Sequence, residues 1–330
     1  MQICKRCVLN DNIPSVRING NGLCNHCTSY PDTKKHTNSE DEIFPALIDK
    51  YRHKKYQVIM AYSGGKDSSY TLKLLREKYD ISILAVTFNN GFLSDSCMEN
   101  INTVTDCLGV ESMIIKYPVD KLVKVFKYAE ENDVFPIQSL ERASSICNLC
   151  ITFVKNMIYY EAIIRSIPVI CFGWTPGQVK TVKPVLKLNC HMVAKMFSNT
   201  RNTIVEGLGK DYAKYFLDEE FLKDNEDRIP YHYYPFVNDI YDEGKILDEI
   251  RNVGWKAPQN TDANSSNCLL NSYANYCHLN RYKFHPYTFE IGNLVREGFL
   301  TREEGLSKLE KYKNNNTLDA IEQIFKNSSE

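Results

Sequence analysis

No apolar run approaches the roughly 20 residues that a membrane-spanning helix needs. The longest ones, Ile81–Phe88 and Ile167–Phe172, have the length of strands. The first residues, Met1-Gln2-Ile3-Cys4-Lys5-Arg6-Cys7, lack the apolar centre of a signal peptide, which points to the cytoplasm. Charge of one sign is also lacking. A net charge of −1 over 330 residues provides no global attraction to nucleic acid or to an anionic membrane. The nucleotide-binding pattern G-x-x-x-x-G-K-[ST] is absent, as is any repeat of fixed period. Acidic residues are missing from one long stretch, Trp174 to Val205, which carries Lys180, Lys183, Lys187, His191, Lys195 and Arg201. Such a stretch can hold a phosphate, a sugar nucleotide or an RNA backbone, or can simply be a solvated face.

The chain is rich in paired cysteines. Cys4-x-x-Cys7 and Cys24-x-x-Cys27 have the spacing of a structural zinc ribbon, in which two tight turns complete a closed tetrahedron of thiolates. A second pair, Cys147-x-x-Cys150, stands ahead of an expected helix at Ile151–Ser166, and Cys268 lies far along the chain. Three thiolates from two segments are a candidate site for a [4Fe–4S] cluster with one iron left free. A second zinc site or a redox pair are the alternatives. Cys97, Cys107, Cys171, Cys190 and Cys277 read as small buried hydrophobes.

Strand and helix patterns alternate from Val58 to Phe172, so the expected core is a doubly wound parallel α/β sheet. The expected strands are Val58–Tyr62, Ile81–Phe88, Ser112–Lys116 and Pro168–Phe172. The expected helices include Met98–Leu108, closed by Gly109, and Val119–Asn132. After about Asn199 the strand signals fade, and Thr301-x-x-Glu304 marks a helix start at Arg302–Lys313, with a last helix near Leu318–Phe325. The expected organisation is a zinc ribbon at 1–30, a linker and helix at 31–54, a catalytic domain at 55–198, and a mainly helical substrate or association region at 199–330.

The sharpest motif is Ser63-Gly64-Gly65-Lys66-Asp67-Ser68-Ser69, placed between an expected strand and an expected helix. Backbone N–H groups at a helix start lack partners and favour an anion, and two glycines let the chain curl around it. Lys66 can neutralise phosphate charge and Asp67 can hold Mg²⁺, which makes these two the candidate catalytic residues. The motif resembles the S-G-G-x-D-S signature of the PP-loop ATP pyrophosphatase superfamily. That resemblance implies that the loop grips the β- and γ-phosphates of ATP and that the α-phosphate is attacked by an acceptor oxygen. It also implies that the strand end Val86–Asn90, with Asn89, meets adenine. The loop Gly173–Gln178, with Thr175 and Gln178, can then close over the nucleotide.

Across most of its length the chain is also similar to the N-acetyl sugar amidotransferase family of surface-polysaccharide and lipopolysaccharide biosynthesis. The shared residues run from Ile3–Val8 and Gly22–Cys27 through the loop to Tyr234–Val237, Gly254–Lys256 and Arg296–Glu304. This resemblance implies an acetamido sugar or sugar-nucleotide acceptor, and ammonia supplied by a separate glutaminase subunit. Lys66, where that family carries valine, departs from its pattern. So do the pair Cys147/Cys150 and the segment around Cys268. These departures lean toward sulfur transfer to a tRNA base or a small molecule, with the same adenylation step. The implied cofactors are ATP, Mg²⁺ and Zn²⁺, with [4Fe–4S] under the sulfur alternative.

Overall fold

The computed structural model describes residues 1–30, 42–179, 183–237, 241–258, 261, 267–310 and 315–327. The expected linker Pro31–Asp41 and Lys180 lie outside these residues. Among the described residues the sheet has the order β3-β2-β1-β4-β6-β5, from β1 (Val58–Ala61), β2 (Ile83–Asn89), β3 (Glu111–Lys116), β4 (Val169–Phe172), β5 (Val185–Lys187) and β6 (Tyr231–Tyr233). All neighbours are parallel except β5 and β6.

The two central strands are apolar on both faces because both faces are covered. Ile59, Leu84, Val86 and Ile170 point into one core, against the helices Val119–Glu131, Ser145–Ile164 and Cys190–Leu208. Val58, Met60, Ala85 and Val169 point into the other, against Ile43–Lys50, Lys66–Tyr79, Asp95–Leu108 and Glu243–Arg251. Successive residues of a strand face opposite ways, so one four-residue segment feeds both cores. The doubly wound parallel sheet is therefore present, and among the described residues no helix is long and apolar enough to cross a membrane.

β2 and β3 lie on one side of β1, and β4 lies on the other. The chain thus reverses direction across the sheet beside β1, and ligands of open α/β sheets bind at the carboxyl ends of strands at such a point. The strand ends there lead into Ser63–Ser69 and Gly173–Gln178.

Three local expectations change. The region after Asn199 is not free of strands, since Tyr231–Tyr233 joins the sheet between β4 and β5. Its aromatic run is too short to show alternation, and Phe44 stacked on Tyr233 at 3.6 Å helps to hold it. The helix Cys190–Leu208 runs across position 198. The helix expected at Ile151–Ser166 begins at Ser145, because the Ser144 side chain accepts the Cys147 N–H and caps it earlier. Cys147 and Cys150 therefore lie inside the helix, one turn apart. Thr301 and Glu304 do form a reciprocal cap on the helix Arg302–Glu310.

Candidate functional site

The loop after β1 is held from several sides. Gly64 takes φ +69°, and a Cβ there would meet Ile101 at 2.8 Å and the Cys97 carbonyl at 2.9 Å. The Trp255 indole N–H donates to the Gly64 carbonyl at 3.0 Å, and the Cys97 thiol donates to the Ser63 carbonyl at 3.1 Å. The helix Lys66–Tyr79 starts after Gly65, which offers no side-chain cap and leaves the helix N-terminus open to an anion. The Ser63 and Ser68 hydroxyls meet at 3.0 Å, while Ser69 is fully buried against the Tyr62 hydroxyl at 3.0 Å. Ser69 thus anchors the helix and does not face the cleft. Gly173 is pressed on the same turn, since a Cβ there would stand 2.6 Å from Ser68 Cα.

Lys66 and Asp67 face a small cavity with Tyr241, Glu243 and Glu290. The Lys66 ammonium donates to Asp67 at 2.7 Å and to the Tyr241 hydroxyl at 2.7 Å, and lies 3.6 Å from Glu243. The Tyr241 hydroxyl donates to Asp67 at 2.9 Å. Glu290 accepts from the Thr175 hydroxyl at 2.9 Å and from the Gln178 amide at 3.1 Å. Burial, with help from the Asp67 charge, pushes its carboxyl up to about 7 against the pull of those two donors. Thr175 and Gln178 are thus brought to the site, where they hold Glu290. Tyr241, Glu243 and Glu290 are absent from the sequence-based candidates. Each sits in an ordinary helix or loop context, and only the fold brings it to the Ser63–Ser69 loop.

Asn89 does not enter the cleft: its side chain accepts the Gly91 N–H at 2.9 Å and closes the turn after β2. The neighbouring Asn90 is the residue that faces inward. It lines a cavity of about 220 Å³ with Ser63, Val86, Phe88 and the three cysteines Cys147, Cys150 and Cys268. Its amide lies 3.5 Å from the Cys150 sulfur and 3.5 Å from the Cys268 sulfur, so those sulfurs are no further apart than twice that distance. The Asn271 amide lies 3.5 Å from the Cys147 sulfur. Cys268 reaches this place because its segment is zipped onto the β2 exit: Leu93 bridges Cys268, and the Leu269 N–H donates to the Phe92 carbonyl at 2.9 Å. Burial pushes the Cys150 and Cys268 thiols up. Three cysteines line this one cavity, the donor type of a three-thiolate cluster, without drawing together into a single-ion site as the N-terminal quartet does. Of the remaining cysteines, Cys97 and Cys171 are buried as expected, Cys190 and Cys277 are half-buried, and Cys107 is exposed. The helix face carrying Cys107 turns to solvent, which periodicity around a single cysteine does not reveal.

The N-terminal quartet is assembled. The sulfurs of Cys4, Cys7, Cys24 and Cys27 are buried and all lie within 4.8 Å of one another. N–H groups of Leu9, Cys24 and Cys27 point at quartet sulfurs at 3.3–3.5 Å, as does the Arg296 guanidinium at 3.4 Å. Four cysteines with such donors form a metal site without an open position. The unit packs on Phe284 and Phe289, with His26 edge-on to Phe289 at 5.1 Å. In the basic stretch, Lys187 is tied to the Ile229 carbonyl and covers Tyr231 at 4.4 Å, while His191 and Lys195 are exposed on the helix Cys190–Leu208.

No family model matches the chain. Over 302 residues, 90% of this chain and 89% of the other, it is 24% identical to an uncharacterized protein of Methanocaldococcus jannaschii. Over 83 residues, 24% of this chain and 20% of the relative, it is 31% identical to the argininosuccinate synthase of Clostridium tetani. Among solved structures it is similar to the U34-tRNA thiolase NcsA of Methanococcus maripaludis with its [4Fe-4S] cluster, at TM-score 0.36 and 17% identity over 91% of this chain and 87% of that one. It is also similar to the NH3-dependent NAD synthetase of Campylobacter jejuni, at TM-score 0.31 and 11% identity over 60% and 93%. A third is the NMN synthetase of Francisella tularensis, at TM-score 0.35 and 13% identity over 82% and 91%. Overlap at that level assigns no activity.

Proposed function

We propose that this chain is an ATP pyrophosphatase of the PP-loop kind that adenylates an acceptor oxygen and then replaces that oxygen with sulfur. The observation that carries the sulfur half is the convergence of Cys147, Cys150 and Cys268 on a cavity that also holds Ser63 of the phosphate loop. In this reading the open N-terminus of the helix Lys66–Tyr79 and the Lys66 ammonium take the β- and γ-phosphates. Asp67 holds Mg²⁺. The acceptor oxygen attacks the α-phosphorus, the bond to the β-phosphate bridging oxygen breaks, and pyrophosphate leaves with that electron pair. Sulfide then attacks the carbon bearing the adenylated oxygen, its proton is lost to solvent, and AMP departs with that oxygen and the electron pair of the broken C–O bond. A [4Fe–4S] cluster on the three thiolates would leave one iron without a protein ligand, where sulfide can be presented. Zinc is the proposed occupant of the N-terminal quartet, in a structural role.

The nitrogen-transfer reading, with an acetamido sugar acceptor and ammonia from a separate glutaminase, shares the first step and assigns no task to the three cysteines. Metal and sulfide analysis after anaerobic purification separates the two. Sulfur transfer expects roughly four irons with matching sulfide in addition to one zinc. The Cys147→Ser, Cys150→Ser and Cys268→Ser variants should lose the iron and keep the zinc. Zinc alone, even after reconstitution with iron and sulfide, together with an ammonium-dependent product from an acetamido sugar, would overturn the sulfur assignment. Asp67→Ala should lower pyrophosphate release by about 10²–10³-fold, the usual size for removal of one charge-stabilising group, with folding retained. Unchanged release would remove Asp67 from the reaction.

A further inference from the structure

Beside the phosphate loop lies a third cavity, of about 270 Å³, that shares no residue with Ser63–Ser69. It is joined to the other two by common walls: Tyr287 lines all three, Cys147 is shared with the cysteine cavity, and Glu290 with the Asp67 cavity. Its lining includes two cations, Arg142 and Lys155.

Among the described residues neither cation makes a salt bridge, although the charge of Glu141 favours the Arg142 cation. Each faces an aromatic ring: the Lys155 ammonium sits 4.9 Å from the Trp174 ring centroid, and the Arg142 guanidinium sits 5.5 Å from that of Phe289. Glu141, whose charge acts on Arg142, and Glu290, which lines the cavity, are already engaged. Glu141 takes the Ser15 N–H and hydroxyl, each at 2.8 Å, and Glu290 takes Thr175 and Gln178. Burial pushes the Lys155 ammonium down to about 8 and lowers Arg142 as well. A cation partly screened from water gains more from an anion than from a ring face. Both cations line the same concave space, and the capped start of the helix Ser145–Ile164, at Ala143 and Ser144, lines it too. All three features favour a bound anion with several acceptor oxygens.

In the adenylation reading the nucleotide phosphates take Ser63–Ser69. We infer that the Arg142–Lys155 cavity binds a phosphate group carried by the acceptor substrate. The acceptor would then reach past Tyr287 toward the phosphate loop, with its reacting group between Glu290 and Cys147. This deepens the adenylation reading and rests on it for the word acceptor, but the binding itself is measured without turnover. The phosphate could belong to a sugar phosphate, a monoester, or to an RNA backbone, a diester.

The test is titration calorimetry on the full, metal-loaded chain, with the phosphate loop filled by a non-hydrolysable ATP analogue. The probes are inorganic phosphate, N-acetylglucosamine 1-phosphate and a short single-stranded RNA. Wild type should bind at least one organic probe, and the tighter one identifies the ester class. The Arg142→Gln and Lys155→Met variants should each bind it at least tenfold more weakly while keeping ATP-analogue affinity within twofold. Equal binding by the variants, or none by wild type, overturns the inference. Should the variants lose analogue binding as well, wild-type fluorescence decides. Inorganic phosphate drawing Lys155 off Trp174 should change the emission, and Trp174→Phe should abolish that response. An emission that does not respond overturns the inference too. Loss of pyrophosphate release with phosphate binding intact would instead count against adenylation alone.

Discussion

Glu290 is a carboxyl that the fold keeps protonated into the neutral range. Its ordinary value is 4.5, and burial raises it to about 7. Between these values the folded protein holds a proton that the unfolded chain has released. Stability therefore falls as pH rises from about 4.5 to 7, and the full cost is present above 7. Glu290→Gln keeps the acceptor for Thr175 and removes the titration. Its melting temperature should match wild type at pH 4.5 and exceed it at pH 8, by an amount equivalent to about 1–3 kcal/mol. Parallel pH profiles for the two proteins would show that Glu290 is ionised throughout. Gly173 allows a sharper test of the loop. Its substitution by alanine sets a methyl against the Ser68 backbone, 2.6 Å away, which cannot swing aside like a side chain. Gly173→Ala should weaken ATP binding at least tenfold while lowering stability by about 1–3 kcal/mol, as overpacking does. Equilibrium binding and thermal melts on one preparation check both halves.

At the scale of elements, the helix Thr288–Arg296 stands between the cysteine quartet and the phosphate site. Arg296 points one nitrogen at Cys7 and another at Asn293, and the Asn293 amide donates to the Gly177 carbonyl at 2.9 Å. Gly177 belongs to the loop that carries Thr175 and Gln178, so the helix braces the loop that holds Glu290. A second brace runs from Arg302, which donates to the Cys4 and Cys7 carbonyls, along its helix to Lys308, which pairs with Glu243 at 3.0 Å. Asn293→Ala should remove about 1 kcal/mol of the first brace. It should raise KM for ATP several-fold with metal content unchanged. An unaltered KM would mean that Gly177 is held by packing alone. This helix also marks where the sequence stops being legible. The turn Ser63–Gly65 between a strand and a helix could be read from strand pattern, glycine pair and helix pattern in succession, because all its determinants are local. The quartet could be read from its spacing. Glu290 could not, since its partners Thr175 and Gln178 lie more than a hundred residues away and its own helix has an ordinary amphipathic pattern. Asn90, and not Asn89, lines the cavity, because a one-residue step at a strand end reverses which side chain points inward. Cys268 was legible as a cysteine in search of partners, but the pairing of its segment with the β2 exit was not.

At the scale of the whole molecule, the two cores on either side of the sheet contain neither the quartet nor Phe284 and Phe289, which form a separate cluster. A metal that binds only the folded quartet stabilises that cluster by mass action, and its removal leaves the sheet cores untouched. Calorimetry should therefore show one transition for the loaded protein and two after chelation. The lower one should belong to residues 1–30 with Thr288–Glu310, and the upper one should be nearly unshifted. Pyrophosphate release should fall in the chelated protein through the two braces. A single transition that moves as a whole on chelation would mean that the quartet and the sheet are one cooperative unit.

Synthesis meets this arrangement in an awkward order. The four cysteines leave the ribosome about 260 residues ahead of the aromatic side chains that cover them, Phe284 and Phe289. At ordinary elongation rates the gap is on the order of ten to fifty seconds. Throughout it the quartet is a short peptide with no core of its own, open to oxidants. Ion capture by the nascent chain, rather than by the finished protein, would keep its thiols intact until Phe289 arrives. The supply of metal during translation would then set the yield of working enzyme.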